Sequence, residues 1–267
     1  MRDELQGASE LQGTSASISP GAGSLATSAA DFQGPLAASA FAFGSEHIPP
    51  WKRPFDIVCA TVAILTLLPV FAIIAALIKC CSKGPVIFRQ QRVGLLGKEF
   101  TLYKFRSMIV GADPLAHEKY VASLIKSHVP LAKLDTRGDT RLIPLGRIIR
   151  SAGLDELPQL INVIRGDMSI VGPRPCLPSE YNYCLPQQRE RFRALPGITG
   201  LWQISGKSRT TFNEMIDYDI QYVRTQSLWL DLKIMLRTIP ALLEEVKGSR
   251  GIATSTPPPA QEARIDT

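Results

Sequence analysis

The sequence has few cysteines, and no metal-binding or redox motif is found among them. The five cysteines, in a chain of 267 residues, form no CxxC pair and no Cys/His ligand spacing. A disulfide framework is therefore excluded, and we interpret the thiols as reduced packing residues in a cytosolic setting. The chain also lacks a G-x-G-x-x-G fingerprint, a Walker loop and a G-x-S-x-G elbow, which removes several common enzyme classes.

Aromatic residues are also scarce, at 7%, and the basic residues are not interleaved with them in a stripe. This composition argues against a nucleic-acid partner. Lys and Arg number 30 against 24 Asp and Glu, which gives a formal net charge of +6. The excess suits a phosphate-bearing partner or an anionic membrane surface, without choosing between them.

Both ends of the chain have little charge and little hydrophobic periodicity. Residues 1–48 are rich in Ala, Ser and Gly, and 248–267 contain a run of three prolines, so both are predicted to be disordered tails. The first five residues carry both charge signs and no compact apolar run follows them, so no cleaved targeting peptide is expected. The predicted division is a tail over 1–48, a membrane helix over 49–83, a catalytic domain over 84–247 and a tail over 248–267.

The membrane helix is predicted from IVCATVAILTLLPVFAIIAALI, a stretch without a charged residue. A helix of this length reaches across a hydrocarbon core of roughly 30 Å. Pro69 lies near its centre and favours a kink, and basic residues flank both ends, which favours two cytoplasmic ends. These features leave two topologies open: a re-entrant helix that bends at Pro69, and an ordinary kinked span.

The rest of the chain predicts an α+β domain that is mainly helical. PVIFRQ and EFTLYKF predict a short β-hairpin around Gly94 and Gly97. Helical spacing predicts one amphipathic helix that Gly166 ends, with its apolar face formed by Leu154, Leu157, Leu160, Ile161 and Ile164. The segments MIDYDIQYV and LWLDLKIMLRTIPALLEEV predict further amphipathic helices at the membrane interface. No other apolar stretch is comparably long, so a polytopic membrane protein is excluded.

The candidate chemistry centres on the adjacent acids Asp155 and Glu156. Such a pair at the start of a helix often only complements the helix dipole. Here Arg150 lies just upstream, and Arg174 lies downstream between two prolines that stiffen its backbone for bidentate phosphate binding. The alternative for Arg174 is a surface salt bridge.

Two further patterns carry alternatives. Lys104 and Arg106 share one side of an extended run and are candidates to grip a diphosphate, although a solvated strand face has the same pattern. Oxygen ligands suit Mg²⁺, which commonly bridges a carboxylate to substrate phosphates. Its candidate ligands are the acidic residues Asp155, Glu156, Asp217 and Asp219. Trp202, in PGITGLWQISG, is either a core residue or a stacking surface for a base.

Taken in order, KRPFD, the Pro-broken apolar segment, GPVIFRQQRVG, KFRSM, LDELPQL, GDMSIVGPRP and PGITGLWQISG resemble the bacterial sugar transferase family, in its minimal monotopic form. The resemblance covers roughly residues 51–240. It implies a re-entrant membrane helix followed by a compact cytoplasmic catalytic domain, at the bacterial inner membrane. It also implies transfer of a sugar 1-phosphate from a UDP-sugar to a polyprenyl phosphate such as undecaprenyl phosphate, with release of UMP, as the first membrane step of exopolysaccharide or related glycan assembly.

The resemblance further implies roles for individual residues. Asp155 matches the nucleophile that forms an aspartyl phosphosugar, with Glu156 beside it and Mg²⁺ near both. Arg150 and Arg174 match positions that recognise phosphate, and Asp219 matches a functional acid. The chain departs from the family pattern in two places: Leu68 precedes Pro69 where the family commonly has Ser, with Thr66 as the nearest substitute hydroxyl, and Gly153 stands where Ser is usual. We expect Gly153 to loosen the approach to the site.

Two other classes remain as alternatives: a catalytically silent, membrane-anchored scaffold of a polysaccharide assembly complex, and a Leloir glycosyltransferase, which would release UDP. The sequence leaves open which sugar is transferred, the pathway and the oligomeric state, a homodimer included.

Overall fold

The computed structural model describes residues 46–109, 141–206 and 210–251, with side chains through residue 243. It is mainly helical and contains two small sheets, as expected from the sequence. The helices are α1 (Lys52–Cys81), α2 (Gly146–Ser151), α3 (Gln159–Arg165), α4 (Pro178–Tyr183), α5 (Leu201–Ile204), α6 (Phe212–Thr225) and α7 (Leu228–Gly251). The strands are β1 (Ile87–Val93), β2 (Glu99–Phe105), β3 (Ser169–Val171) and β4 (Gly197–Thr199), and 3-10 turns cover Leu95–Gly97, Leu154–Glu156 and Pro186–Arg193. The predicted tails lie outside the described residues, apart from 46–48 and 248–251.

Helix α1 is one uninterrupted helix of 30 residues that contains Pro69. It is the one helix in the described ranges that is long and apolar enough to cross a membrane, and only 11% of its most apolar window is buried. Low burial separates it from the core helix of a soluble protein, whose apolar residues are mostly enclosed. The Thr66 hydroxyl donates to the carbonyls of Val62 and Ala63. Pro69 has no N–H to donate to the Leu65 carbonyl, and the Thr66 hydroxyl does not donate to that carbonyl either. Thr66 is therefore not the substitute hydroxyl that the sequence suggested.

One face of α1 packs against the rest of the protein along almost its whole length. The buried positions Lys52, Asp56, Ala60, Ile74 and Ile78 recur at helical spacing. Between Ala60 and Ile74, the Phe71 ring contacts the Phe105 ring, with ring centroids 5.5 Å apart. The opposite face is apolar and exposed, with Val58 at 62%, Leu65 at 68% and Ile73 at 60%. A large exposed apolar surface of this kind marks an interaction with lipid or protein.

The predicted hairpin is confirmed. Strands β1 and β2 pair antiparallel, with Val93 opposite Glu99 and Ile87 opposite Phe105. The turn places Leu96 at φ 52° and Gly97 at φ 75°. Beyond the hairpin, the backbone of Val93 also pairs with that of Cys176, which ties the end of β1 to the segment after β3.

The glycines in GDMSIVGPRP and PGITG allow two backbones to approach closely. Strands β3 and β4 are parallel, with Ser169 opposite Gly197. A Cβ atom on Gly172 would lie 2.2 Å from the Leu195 carbonyl oxygen, and one on Gly197 would lie 2.1 Å from the Gly172 nitrogen. Any side chain at either position would force the strands apart, which explains why glycine occupies both.

The single amphipathic helix predicted over Leu154 to Ile164 is wrong in two respects. The structure divides it into the 3-10 turn Leu154–Glu156 and helix α3, which begins after Pro158. Its apolar residues do not share one buried face, because Leu160 is buried while Ile161 and Ile164 are 43% and 39% exposed. Pro158 offers no backbone N–H to continue the turn, so a helix begins afresh after it. Gly166, at φ 93°, does end α3 as predicted.

Helices α6 and α7 confirm the two C-terminal helical predictions, and α7 continues to Gly251, beyond the predicted boundary at 247. Helix α7 buries Asp231 and Ile234 but leaves an apolar stripe exposed on another face. The stripe consists of Trp229, Leu232, Leu236, Ile239 and Leu243. Its spacing of three and four residues places all five side chains along one side of the helix.

Candidate active site

The KRPFD motif fastens the start of α1 to the domain. Lys52 forms an ion pair with Asp231 of α7, and both side chains are at most 3% exposed. Asp56 is fully buried and accepts hydrogen bonds from the Ser169 hydroxyl at 2.9 Å and the Ile170 N–H at 3.0 Å. Arg53 donates to the carbonyl of Val163 at 2.7 Å, at the end of α3. The motif thus connects α1 to the elements that carry the candidate site.

Asp155 lies in the tight turn between α2 and α3 and is 9% exposed. Gly153, before the turn, has φ 66°, a left-handed conformation in which a non-glycine residue is strained. Its N–H donates to the Arg150 carbonyl at 3.2 Å, and its carbonyl accepts from the Glu156 N–H at 3.1 Å. Gly153 is therefore part of the turn that presents the acids, in a conformation that glycine adopts without strain.

Glu156 faces the hairpin. Its carboxylate lies 3.2 Å from the Lys104 ammonium of β2, and the two side chains are 42% and 22% exposed. The buried Asn162 fixes the position of α3 against β2. Its side-chain nitrogen donates to the Thr101 carbonyl at 2.7 Å, and its side-chain oxygen accepts from the Tyr103 N–H at 3.1 Å. Sequence reasoning missed Asn162, although an amide inside an otherwise apolar helical run is a usable signal, because a buried amide needs partners.

Arg106 differs from the prediction that it grips a diphosphate beside Lys104. It follows β2, is only 4% exposed and donates to the carbonyls of Lys83 and Ser82 at 2.8 and 2.9 Å. A cation beside the last carbonyls of a helix stabilises that end. The contacts give Arg106 a structural role at the end of α1, whereas Lys104 reaches the acidic turn.

The segment Pro173 to Pro175 holds Arg174 from two directions. Its backbone N–H faces both oxygens of the Asp219 carboxylate at 3.3 and 3.4 Å, and its carbonyl accepts from Arg191 at 2.9 Å. Its guanidinium Nη1 donates to both carboxylate oxygens of Glu180, at 2.9 and 3.1 Å. The Arg174 side chain is 24% exposed, so the alternative of an ordinary surface salt bridge does not describe it.

Glu180 and Arg92 are two site residues that sequence reasoning missed. Glu180 is 2% exposed and also accepts from the Leu177 N–H at 2.8 Å, so it caps α4 while it holds Arg174. Burial acts to raise the pKa of its carboxyl, but Arg174 and Arg92 lower that pKa to about 2. Burial and the charge of Arg174 lower the pKa of Arg92 to about 10, while Glu156 acts to raise it. Arg92 therefore lies in the field of both the acidic turn and Arg174.

Asp219 supports the site from behind. It is 1% exposed and forms an ion pair with the fully buried Arg191, at 2.5 Å. Burial raises the pKa of the Asp219 carboxyl to about 6, against the opposing effect of Arg191. With both oxygens engaged by protein donors, Asp219 is placed as a positioning residue for Arg174. Asp217, the other acid considered for a metal, is exposed on α6.

Of the acids considered for a divalent cation, Asp155 and Glu156 are consecutive in the turn before α3. Within the described ranges, no three His, Cys, Asp or Glu side chains converge on one point. Mg²⁺ commonly takes one or two carboxylates and fills its other positions with water and substrate phosphate oxygens. Two adjacent carboxylates beside basic residues suit that donor set, so the chemistry of the site is compatible with Mg²⁺ held by Asp155 and Glu156.

The structure thus pairs Glu156 of the acidic turn with Lys104, and Arg174 with Glu180, while Arg92 donates to the Pro175 carbonyl beside Arg174. Arg150 lies in the last turn of α2, and its carbonyl accepts from the Gly153 N–H before the acidic turn. Trp202 is 6% exposed and donates to the Thr210 hydroxyl at 2.6 Å, which supports the core interpretation over base stacking.

Comparison with known proteins identifies a family and several relatives to which this chain is similar. A model of the family described as bacterial sugar transferase matches residues 48–245. Among curated relatives, the exopolysaccharide production protein ExoY of Rhizobium meliloti is 39% identical over 191 residues, which cover 72% of this chain and 84% of the relative. The UDP-glucose:undecaprenyl-phosphate glucose-1-phosphate transferase of Caulobacter vibrioides is 41% identical over 200 residues, or 72% and 69% of the two chains. The undecaprenyl-phosphate galactose phosphotransferase of Salmonella typhimurium is 36% identical over 72% of this chain and 40% of its own length.

The family match covers α1 and the residues of the candidate site. The chain belongs to the bacterial sugar transferase family.

Proposed function

We propose that this enzyme transfers a sugar 1-phosphate from a UDP-sugar to undecaprenyl phosphate and releases UMP, and so initiates exopolysaccharide or related glycan synthesis. The relatives named as undecaprenyl-phosphate sugar phosphotransferases support this phosphoglycosyl transferase activity. The observation that carries the proposal is the acidic turn of Asp155 and Glu156, in which Glu156 pairs with Lys104 and acts on the charge of Arg92, which in turn donates to the carbonyl next to Arg174. Carboxylate nucleophiles of this kind divide one difficult phosphoryl transfer into two steps.

In the first step, an Asp155 oxygen attacks the sugar-bearing phosphorus of the donor. A new O–P bond forms, the bond from that phosphorus to the bridging oxygen breaks, and UMP leaves with the electron pair. In the second step, an oxygen of the lipid phosphate attacks the same phosphorus. Asp155 is released as a carboxylate, and the product is a polyprenyl diphosphate sugar.

The other residues of the site bind and orient the substrates. Lys104 holds Glu156 and adds positive charge near the acidic turn, while Arg174 is aimed by Glu180 and Asp219 toward substrate phosphate. Mg²⁺, when bound by Asp155 and Glu156, supplies neutralisation of the diphosphate charge. These fixed charges stabilise phosphoryl transfer mainly by position and electrostatics.

The acceptor explains why the site belongs on a membrane helix. A polyprenyl phosphate keeps its headgroup at the interface, so Asp155 has to reach the same height. Both ends of α1 pack on the one domain, and a helix perpendicular to the bilayer would draw that domain into the hydrocarbon. This supports a re-entrant or in-plane α1 at the inner membrane, with the domain and both basic flanks on the cytoplasmic side.

Nucleotide release tests the activity. Purified full-length protein is reconstituted with Mg²⁺, undecaprenyl phosphate and a panel of UDP-sugars that begins with UDP-glucose and UDP-galactose. We expect UMP from one or two donors. Release of UDP would identify a Leloir glycosyltransferase, and folded protein that releases neither nucleotide across a broad panel would identify a scaffold.

Cysteine labelling tests the topology. Lys52 is unsuitable as a labelling position because it is buried against Asp231, whereas Glu46 and Lys83 are exposed on either side of α1. Single cysteines are placed at these two positions after Cys80 and Cys81 are changed to Ser, since both native thiols are exposed. Labelling of both from the cytoplasmic side is expected, and labelling from opposite sides would establish an ordinary span.

A further inference from the structure

Arg92, at the end of β1, is buried beside the segment that carries Arg174. The backbone pairing of Val93 with Cys176 holds these two segments together. The Arg92 guanidinium donates from Nη1 to the Pro175 carbonyl at 3.0 Å, and from Nε and Nη2 to the Gln90 side-chain oxygen at 3.2 and 2.8 Å. A guanidinium has five N–H donors. Among the described residues, one N–H on each terminal nitrogen of Arg92 has no acceptor.

Arg174 has the same surplus of donors. Both of its hydrogen bonds to Glu180 come from Nη1. Within the described part of the chain, neither Nε nor Nη2 of Arg174 has an acceptor, and the side chain retains access to solvent at 24% exposure. The Glu180 carboxylate therefore fixes the orientation of Arg174 without using all of its donors.

Arg92 is the cation of this cluster to which no described carboxylate is hydrogen-bonded. The Glu180 carboxylate binds Arg174 directly, and the charge of Arg174 acts to lower the pKa of Arg92 while that of Glu180 acts to raise it. The nearby pairs behave differently, because Arg191 is matched by Asp219 and Lys104 by Glu156. A buried cation without a matching anion is costly unless a ligand supplies the missing charge.

We infer that Arg92 is a second phosphate-binding arginine of this site, and that Arg92 and Arg174 together bind one phosphate group of a substrate. The inference rests on the proposed function and adds a binding residue to it. Paired guanidinium groups match the oxygens of a phosphate in a planar, bidentate geometry that a lysine cannot reproduce. The phosphate comes either from the nucleotide part of the donor or from the lipid acceptor, and the two sources are separable by experiment.

The test compares Arg92→Gln and Arg92→Lys with Arg89→Gln, in reconstituted full-length protein. Arg89 is the matched control because it lies on the same strand and is exposed. The measurements are kcat/KM for the UDP-sugar, kcat/KM for undecaprenyl phosphate, the inhibition constant of UMP and the melting temperature. We expect Arg92→Gln to lose about 10- to 100-fold in at least one of the first three measurements, as for the loss of a charge-assisted hydrogen bond. Arg92→Lys should fall between it and wild type, and Arg89→Gln should stay within about twofold, as for an exposed charge outside the site.

Each outcome is decisive. Weakened UMP inhibition identifies the nucleotide phosphate, and a loss confined to undecaprenyl phosphate identifies the acceptor phosphate. Arg92→Gln that matches Arg89→Gln, or a folded Arg92→Lys with wild-type values, overturns the inference while wild-type activity leaves the proposed function intact. Wild-type protein that releases no UMP overturns both.

A further measurement needs no variant, in case Arg92→Gln fails to fold. Wild-type protein is modified with phenylglyoxal, with and without UMP or undecaprenyl phosphate, and the labelled peptides are identified by mass spectrometry. Protection of Arg92, with Arg89 unaffected, supports the inference. Equal labelling of Arg92 under all conditions overturns it.

Discussion

The pair Lys104–Glu156 and the pair Arg191–Asp219 lie on two sides of the same site, yet they differ in exposure. The first pair is 22% and 42% exposed, whereas the second is 0% and 1% exposed. Exposed charges can exchange partners when a substrate arrives, whereas a buried pair is costly to separate. In the proposed mechanism the partly exposed pair Lys104–Glu156 meets the substrate beside the more buried Asp155, whereas the pair Arg191–Asp219 holds the scaffold in place.

The largest effect on activity without an effect on stability is expected at the proposed nucleophile. Asp155→Asn should lower the rate of UMP release by about 1,000-fold or more, because an amide cannot accept the phosphoryl group as a carboxylate does. Its melting temperature should stay near that of wild type. Activity within about tenfold of wild type would remove Asp155 from the nucleophile role.

The buried layer should respond in the opposite way. Lys52→Met leaves Asp231 charged without its partner, and we expect a loss of about 3–5 kcal/mol in the free energy of unfolding, measured by denaturation in detergent. The double variant Lys52→Met/Asp231→Leu serves as its control and should recover most of this loss. A single variant within about 1 kcal/mol of wild type would show that the pair does not fasten α1.

Acid should weaken the buried layer at Glu180. Its pKa is about 2 in the folded protein against an ordinary value of 4.5, so its contribution to stability is complete above about pH 4.5 and is lost as the pH falls through 2. The difference corresponds to about 3 kcal/mol. Melting temperatures between pH 5 and 2 should fall more steeply for wild type than for Glu180→Gln. Parallel curves would contradict this assignment.

The smallest effect on stability is expected at the exposed pair. Lys104→Gln should change the free energy of unfolding by less than about 1 kcal/mol, since the pair is partly screened by solvent. Its rate of UMP release should still fall by about tenfold, as for the loss of one charged contact. A stability loss as large as that of Lys52→Met would remove the distinction between the two layers.

Much of this architecture could be predicted from sequence, because it depends on local patterns. The uncharged stretch predicts α1, alternation and turn residues predict the hairpin, and Gly166 predicts the end of α3. The split of the predicted helix at Pro158 and the exposure of Ile161 and Ile164 could not be predicted, because helical periodicity alone does not show which face has a neighbour.

The candidate site shows the same limit. Motif order singles out Asp155, Glu156 and Arg174 as candidates, but it does not show the partners that position them. Glu180 lies only six residues beyond Arg174, and no pattern in that segment shows that its buried carboxylate binds the guanidinium. Arg92 is brought beside the Arg174 segment by the pairing of Val93 with Cys176, which is a tertiary contact. Arg106 shows the reverse case, in which a same-side spacing is correct for a strand and the residue lies just beyond the strand's end.

The central claim is that Asp155 becomes covalently phosphorylated by the donor. The most direct measurement is peptide mass spectrometry of protein mixed with Mg²⁺ and a UDP-sugar that it accepts as a donor, in the absence of undecaprenyl phosphate. The account predicts a sugar phosphate adduct on Asp155 that disappears when the acceptor is added. Two results would contradict this mechanism. One is protein that releases UMP rapidly when the acceptor is present but carries no adduct on Asp155 without it, and the other is an adduct that is unchanged after the acceptor is added.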